Sequence, residues 1–141
     1  MLLLVALACS PLQYNLRTIK IGLVAPITGP RHAEGEAWVP EVRAMVSEWN
    51  RGATGLYRVE LVIYDESEGP VVARRLAVDP EVLGVAGYAD PANLERDRPV
   101  YDEARIRVAA GLEGVRDLLA GVAEATPGGP ARRPGSPTYT R

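Results

Sequence analysis

Three acids stand close together in the stretch DESE, Asp65 to Glu68, directly after an apolar run that ends at Tyr64. Asp65, Glu66 and Glu68 offer the carboxylate oxygens that hard cations such as magnesium prefer. Asp65 and Glu68 with such a metal would suit a small metal-dependent enzyme. Acids also gather in a solvated loop just ahead of a helix, where the helix dipole favours negative charge, and we read the cluster that way. The sole histidine, His32, lies in the loop after an earlier apolar run. No serine or cysteine nucleophile is placed by sequence to work with it, so it reads as an exposed loop residue. Cys9 is the only cysteine and stands within an apolar stretch at the chain's start, a poor setting for a nucleophile. No phosphate loop, no GxGxxG turn after the first strand and no GxSxG elbow occurs. No catalytic residue, metal ligand or cofactor is therefore expected.

The aromatic residues carry less chemistry. Trp38 and Trp49 share a helical stripe with Val42 and Met45, at spacings of four, three and four. Such a stripe belongs to a core rather than to a ligand platform. Tyr88, at the end of a later apolar run, could face a ligand or cap the sheet edge. The formal net charge of -2 over 141 residues gives no basic footprint for nucleic acid. The only lysine, Lys20, lies in the first apolar run, and the arginines are scattered.

The elements that must position these residues alternate in type. Ile19 to Ala25 is a near-continuous apolar run, as a strand buried on both faces requires. A helix follows and stops near Asn50 to Gly52, where glycine suits the left-handed cap. Tyr57 to Tyr64 reads as a second strand and Pro70 to Val78 as a helix with proline in its first turn. Val82 to Tyr88 reads as a third strand, and Pro91 to Ala104 as a helix that Pro99 bends or interrupts. Ile106 to Ala110 gives a short fourth strand. Leu112, Val115, Leu119 and Val122 mark a last amphipathic helix. Strands alternating with helices imply right-handed crossovers and an α/β fold, a three-layer sandwich with a mostly parallel sheet. Ligands in such folds bind at the carboxyl ends of the strands.

Composition sets the expected boundaries. With 47% hydrophobic and 24% charged residues, 141 residues suffice for one globular domain. The start MLLLVALACS is too short to span a bilayer and closes on Ala8 and Cys9. It resembles the lipobox of bacterial lipoproteins, although no basic segment precedes it. Residues 1–17 are thus expected to be a lipoprotein-type leader and tether with Cys9 as the lipidated residue. Residues 18–126 form the α/β lobe. Residues 127–141, rich in proline and glycine, make a disordered tail.

In order along the chain, IKIGLVAPITGP (Ile19 to Pro30), Gly35, MVSEWNRG (Met45 to Gly52), Tyr64 with Asp65, and VLGVAGY (Val82 to Tyr88) resemble one family. They are similar to the first lobe of type I periplasmic substrate-binding proteins, in the branched-chain amino-acid (leucine/isoleucine/valine) group of ABC importers. The resemblance spans roughly Thr18 to Ala110. It implies a flavodoxin-like sheet and a ligand held between two lobes by loops after the strands. Carried over by position, the ligand-binding candidates are Ile27, Thr28 and Gly29 after the first strand. Tyr88, Ala89 and Asp90 follow the third, and Ala109 and Ala110 the fourth. The family's third-strand loop is rich in serine and threonine, whereas this chain has ADPAN from Ala89 to Asn93, where Asp90 would repel a ligand carboxylate.

The resemblance implies an exported protein, periplasmic or at the cell surface, touching a membrane only through an N-terminal lipid anchor. Its partners would be a small molecule, such as an amino acid, and an importer permease, with no nucleic acid. A second lobe is not expected in this chain, so it reads as a truncated lobe with ligand binding weak or lost. Two alternatives stay open: an interaction remnant that pairs with a second lobe or subunit through its sheet edge, and the small metal-dependent flavodoxin-like enzyme.

Overall fold

A computed structural model describes residues 16–52 and 57–125. The expected lipidation residue Cys9 and the expected tail of residues 127–141 lie outside the described residues. The elements run β1 (Arg17–Ala25), α1 (His32–Gly52), β2 (Tyr57–Asp65), a 3₁₀ turn (Glu66–Glu68), α2 (Pro70–Val78), β3 (Val82–Gly87), α3 (Pro91–Glu103), β4 (Arg107–Ala110) and α4 (Gly111–Ala125). The strands form one sheet in the order β2-β1-β3-β4, and every pair is parallel.

β1 explains the order. Ile21, Leu23 and Ala25 point to one face and Val24 to the other, and all four are buried. A strand apolar on both sides must have helices on both sides. α1 and α4 cover one face, where Val42, Val46, Val115, Leu118 and Val122 meet Ile21, Leu23 and Val59. α2 and α3 cover the other, where Val72, Leu76, Leu94 and Tyr101 meet Val24 and Val85. The three-layer α/β expectation holds. Trp38, Met45 and Trp49 pack half-buried against the first cluster, so the helical stripe belongs to the core.

Three local irregularities mark the elements. Pro40 lies inside α1 rather than at an end; lacking an N–H, it leaves the Glu36 carbonyl without its helical donor. Pro99 likewise sits within α3, which continues to Glu103. The β1–β3 register slips between Lys20, opposite Val82, and Ile21, opposite Gly84. Leu83 is the extra residue and turns outward, 41% exposed.

Side chains pin the ends of the elements. Asn50, near the end of α1, donates from Nδ2 to the Val59 carbonyl at 2.8 Å and accepts the Val59 N–H at 2.9 Å. Lys20 bridges Asp79 at 2.9 Å and Glu81 at 2.7 Å, anchoring the α2–β3 turn to β1. The bonds from Lys20 hold the Asp79 carboxyl below its ordinary range. No helix among the described residues is long and apolar enough to cross a membrane.

Candidate functional site

The strand order places the switch point between β1 and β3. α1 leaves β1 toward one face and α3 leaves β3 toward the other, which opens a crevice at the carboxyl ends of these two strands. Its walls are the Pro26–Arg31 loop, the Glu66–Glu68 turn after β2 and the Tyr88–Asp90 loop. Gly35 in the first turn of α1 makes the first wall rigid: a Cβ there would lie 2.3 Å from the Pro26 carbonyl oxygen. The helix therefore rests directly on the loop backbone.

Thr28, the hydroxyl expected to meet a ligand, is already engaged. It donates to Asp65 Oδ2 at 2.5 Å and lies 2.9 Å from Ser67 Oγ. The Asp65 carboxylate also accepts from the amides of Ile27 at 3.2 Å and Ser67 at 3.0 Å. Partial burial alone would raise the Asp65 carboxyl, but the bonds from Thr28 and Ser67 outweigh it and hold the group down to about 2. A depressed folded value means that Asp65 stabilises the fold fully above the ordinary carboxylate range and loses that contribution as pH falls from about 4 toward about 2. Thr28→Val should raise the Asp65 titration midpoint toward the ordinary value and flatten the stability slope in that window. Carboxyl NMR titration reads this directly, and an unmoved Asp65 midpoint would refute the bond.

Glu66 is the residue that sequence reading missed. The acidic cluster was expected to be a solvated loop; Glu66 is instead 6% exposed and turned inward. Its carboxylate accepts from the Ala89 amide, the Asp90 amide and Asn93 Nδ2, each at 2.9 Å. One side chain from the β2 end thereby seals the β3–α3 loop with charge-assisted bonds. Nothing in the stretch DESE distinguishes the inward acid from its neighbours, because the donors it meets lie more than twenty residues away. Among the described residues no group of acids, histidines or cysteines is gathered to hold a metal. Asp65 binds Thr28, Glu66 binds the β3–α3 loop, and Glu68 pairs with Arg75 at 3.0 Å.

The third-strand candidates are likewise committed inward. Tyr88 takes a positive φ of 60° while its amide donates to the Val24 carbonyl at 2.7 Å. Its side chain is 4% exposed and turned into the core rather than toward the crevice. The phenol donates to Asp97 at 3.0 Å and lies 2.7 Å from the Tyr101 hydroxyl, with the rings edge to face. Arg96 forks onto the buried Asp97 carboxylate at 2.7 and 2.9 Å. Burial, foremost, raises both phenols, Tyr101 to about 12. The aromatic body fills the core and the hydroxyl needs a polar partner there, so the ring turns in rather than out. The carbonyl of Ala89 accepts from Arg31, whose guanidinium also holds Glu34. Asp90 caps α3 by accepting the Ala92 amide at 2.9 Å.

Thr28 and Asp90 are brought together around a hollow of about 140 Å³ that Arg31, Glu66, Ser67 and Asn93 also line. Small-molecule pockets run from about 300 Å³ upward. Ile27 turns away from this hollow into a groove beside α1. Gly29 makes the turn with a φ of 87° and accepts from His32, which begins α1 rather than lying in the loop. Ala109 and Ala110 end β4, on the far side of β3, and do not line the hollow.

No protein-family model and no curated protein matches the chain. Solved structures do. The chain is similar to a protein described as a branched-chain amino acid ABC transporter from Rhodospirillum rubrum, with 21% identity and a TM-score of 0.58. That match covers 67% of this chain and 28% of the other. It is also similar to an ABC transporter substrate-binding protein from Sphaerobacter thermophilus, with 22% identity and a TM-score of 0.56, covering 67% of this chain and 26% of that one. The chain thus spans little more than a quarter of the length of these proteins. The sheet order, the helices on both faces and these two likenesses together establish that the described residues have the fold of part of a substrate-binding-protein lobe.

Proposed function

We propose that this chain is a solute-binding-protein-like lobe of the amino-acid ABC-importer kind, not an enzyme, in which ligand binding at the strand ends is weak or lost. The observation that carries the reading is the commitment of the crevice's own donors. The amides of Ala89 and Asp90 serve Glu66, the Thr28 hydroxyl serves Asp65, and Arg31 serves Ala89 and Glu34. A ligand carboxylate arriving there would have to displace the part-buried, charge-assisted bonds of Glu66 and the exposed bonds of Thr28 and Arg31, and the exposed Asp90 carboxylate beside it adds repulsion. The hollow these loops enclose, about 140 Å³, is also smaller than a small-molecule site that buries most of its ligand.

In this reading the protein is exported and lipid-anchored through Cys9, with a permease as its natural partner. Calorimetric titration of the full chain with leucine, isoleucine and valine should give heats matching buffer dilution while circular dichroism shows an α/β fold. A saturable heat with any of the three would overturn the loss of binding. A second reading, pairing with another lobe or subunit, is favoured by the outer edges of β2 and β4, which no strand covers among the described residues.

A further inference from the structure

The outer edge of β2 carries a surface whose charge is sorted from end to end. Two hollows follow α1 beside this strand and share Arg43, one of about 580 Å³ and one of about 470 Å³. They make one groove running from Glu36 to Arg51, roughly 22 Å at 1.5 Å per helical residue. The end near the carboxyl terminus of β2 presents the acids Glu36, Asp65 and Glu68. The opposite end presents Arg51 and Arg58, with Arg43 at the junction of the two hollows. Between them lie Val39, Pro40, Leu61 and Ile63. Glu36, Arg43, Arg51 and Arg58 make no ion pair among the described residues.

The backbone of the same edge is open over a short window. The Val59 N–H and carbonyl face Asn50 rather than a strand. Main-chain polar groups of alternate residues point to the same side of a strand. Leu61 and Ile63 therefore point their N–H and carbonyl groups away from β1, toward the uncovered side. Asn50 blocks the window at one end. An edge carrying a single sign of charge would repel a copy of itself. This edge carries both signs at opposite ends, which is self-complementary under a two-fold rotation.

We propose that two copies of this chain associate through β2, antiparallel about a two-fold axis at Val62. Leu61 of each copy then faces Ile63 of the other, and the two sheets join into one of eight strands. In that register the acidic end of each groove lies against the arginine end of the other. The occupant of the edge is thus a second copy of this chain, whether or not the strand-end crevice takes a ligand.

Sedimentation of the full chain over a concentration series, with hydrogen exchange at Leu61 and Ile63, tests this. The expected result is a monomer–dimer equilibrium in which both amides gain protection as the dimer forms. Glu36→Arg and Arg51→Glu are both on the exposed helix surface, so each should leave the fold intact by circular dichroism. Each should raise the dissociation constant about tenfold, and mixing the two variants should restore association. A chain that stays monomeric overturns the proposal, and so does a monomer whose two amides are already protected, because the edge would then be covered by the chain itself. A dimer indifferent to both charge reversals overturns the register.

Discussion

Glu66→Ala is expected to lower the stability of the chain by about 3 kcal/mol, a drop of roughly 10 °C in melting temperature for a domain of this size. The carboxylate serves two backbone amides and one side-chain amide at 2.9 Å each. Bonds to charged groups are worth about 1.5–3 kcal/mol apiece, but they share one side chain and do not add in full. Truncation leaves the Ala89 and Asp90 amides in a part-buried place without an acceptor, which is costlier than losing both partners of a bond. Glu66→Gln should recover part of the loss, since its carbonyl accepts while its NH₂ confronts a donor. Thermal melts of the three chains check the order native, Gln, Ala. Equal melting temperatures would mean that Glu66 does not seal the β3–α3 loop in solution.

Gly87→Ala is expected to be as damaging, on the order of 3–4 kcal/mol, and to leave a poorly folded chain. Gly87 has a φ of 110°, where a side chain is strained by about 1–2 kcal/mol. A Cβ there would lie 2.1 Å from the Val24 carbonyl oxygen, a backbone atom that also accepts the Tyr88 amide. The clash can be relieved only by parting β1 from β3 where the crevice forms, and overpacking of this kind costs about 1–3 kcal/mol more. Urea unfolding followed by circular dichroism measures the loss. A midpoint within error of the native chain would contradict the close approach of the two strands. Together the two variants separate two supports of one loop, the backbone fit beneath it and the carboxylate that holds it from the side.

Legibility of the fold followed from periodicity. The apolar run at Ile19 to Ala25, the stripe through Trp38, Val42 and Trp49 and the stripe through Leu112, Val115, Leu119 and Val122 are each a local record of which face is buried. Burial leaves that record in the residues themselves, so element types and the three layers were readable. The slip that exposes Leu83 was not, because a bulge depends on the partner strand's register. Both helices run through their prolines at 40 and 99, as the expected ranges to Asn50–Gly52 and to Ala104 have it.

The candidate site was legible in place but not in orientation. Strand ends are where crevices form in a parallel sheet, and the loops after β1 and β3 do meet there. Thr28 and Tyr88 were chosen for groups that could face a ligand, yet each group is spent on a partner 37 and 13 residues away, Asp65 and Tyr101. The sequence by itself determined an α/β sheet with apolar strands between amphipathic helices, because hydrophobic burial writes its period into neighbouring residues. Only the tertiary structure decided which polar groups remain available, because a hydrogen bond is made by whatever the fold brings within 3 Å. It turned Glu66 inward onto the β3–α3 loop, and it set the acids and arginines at opposite ends of one exposed edge.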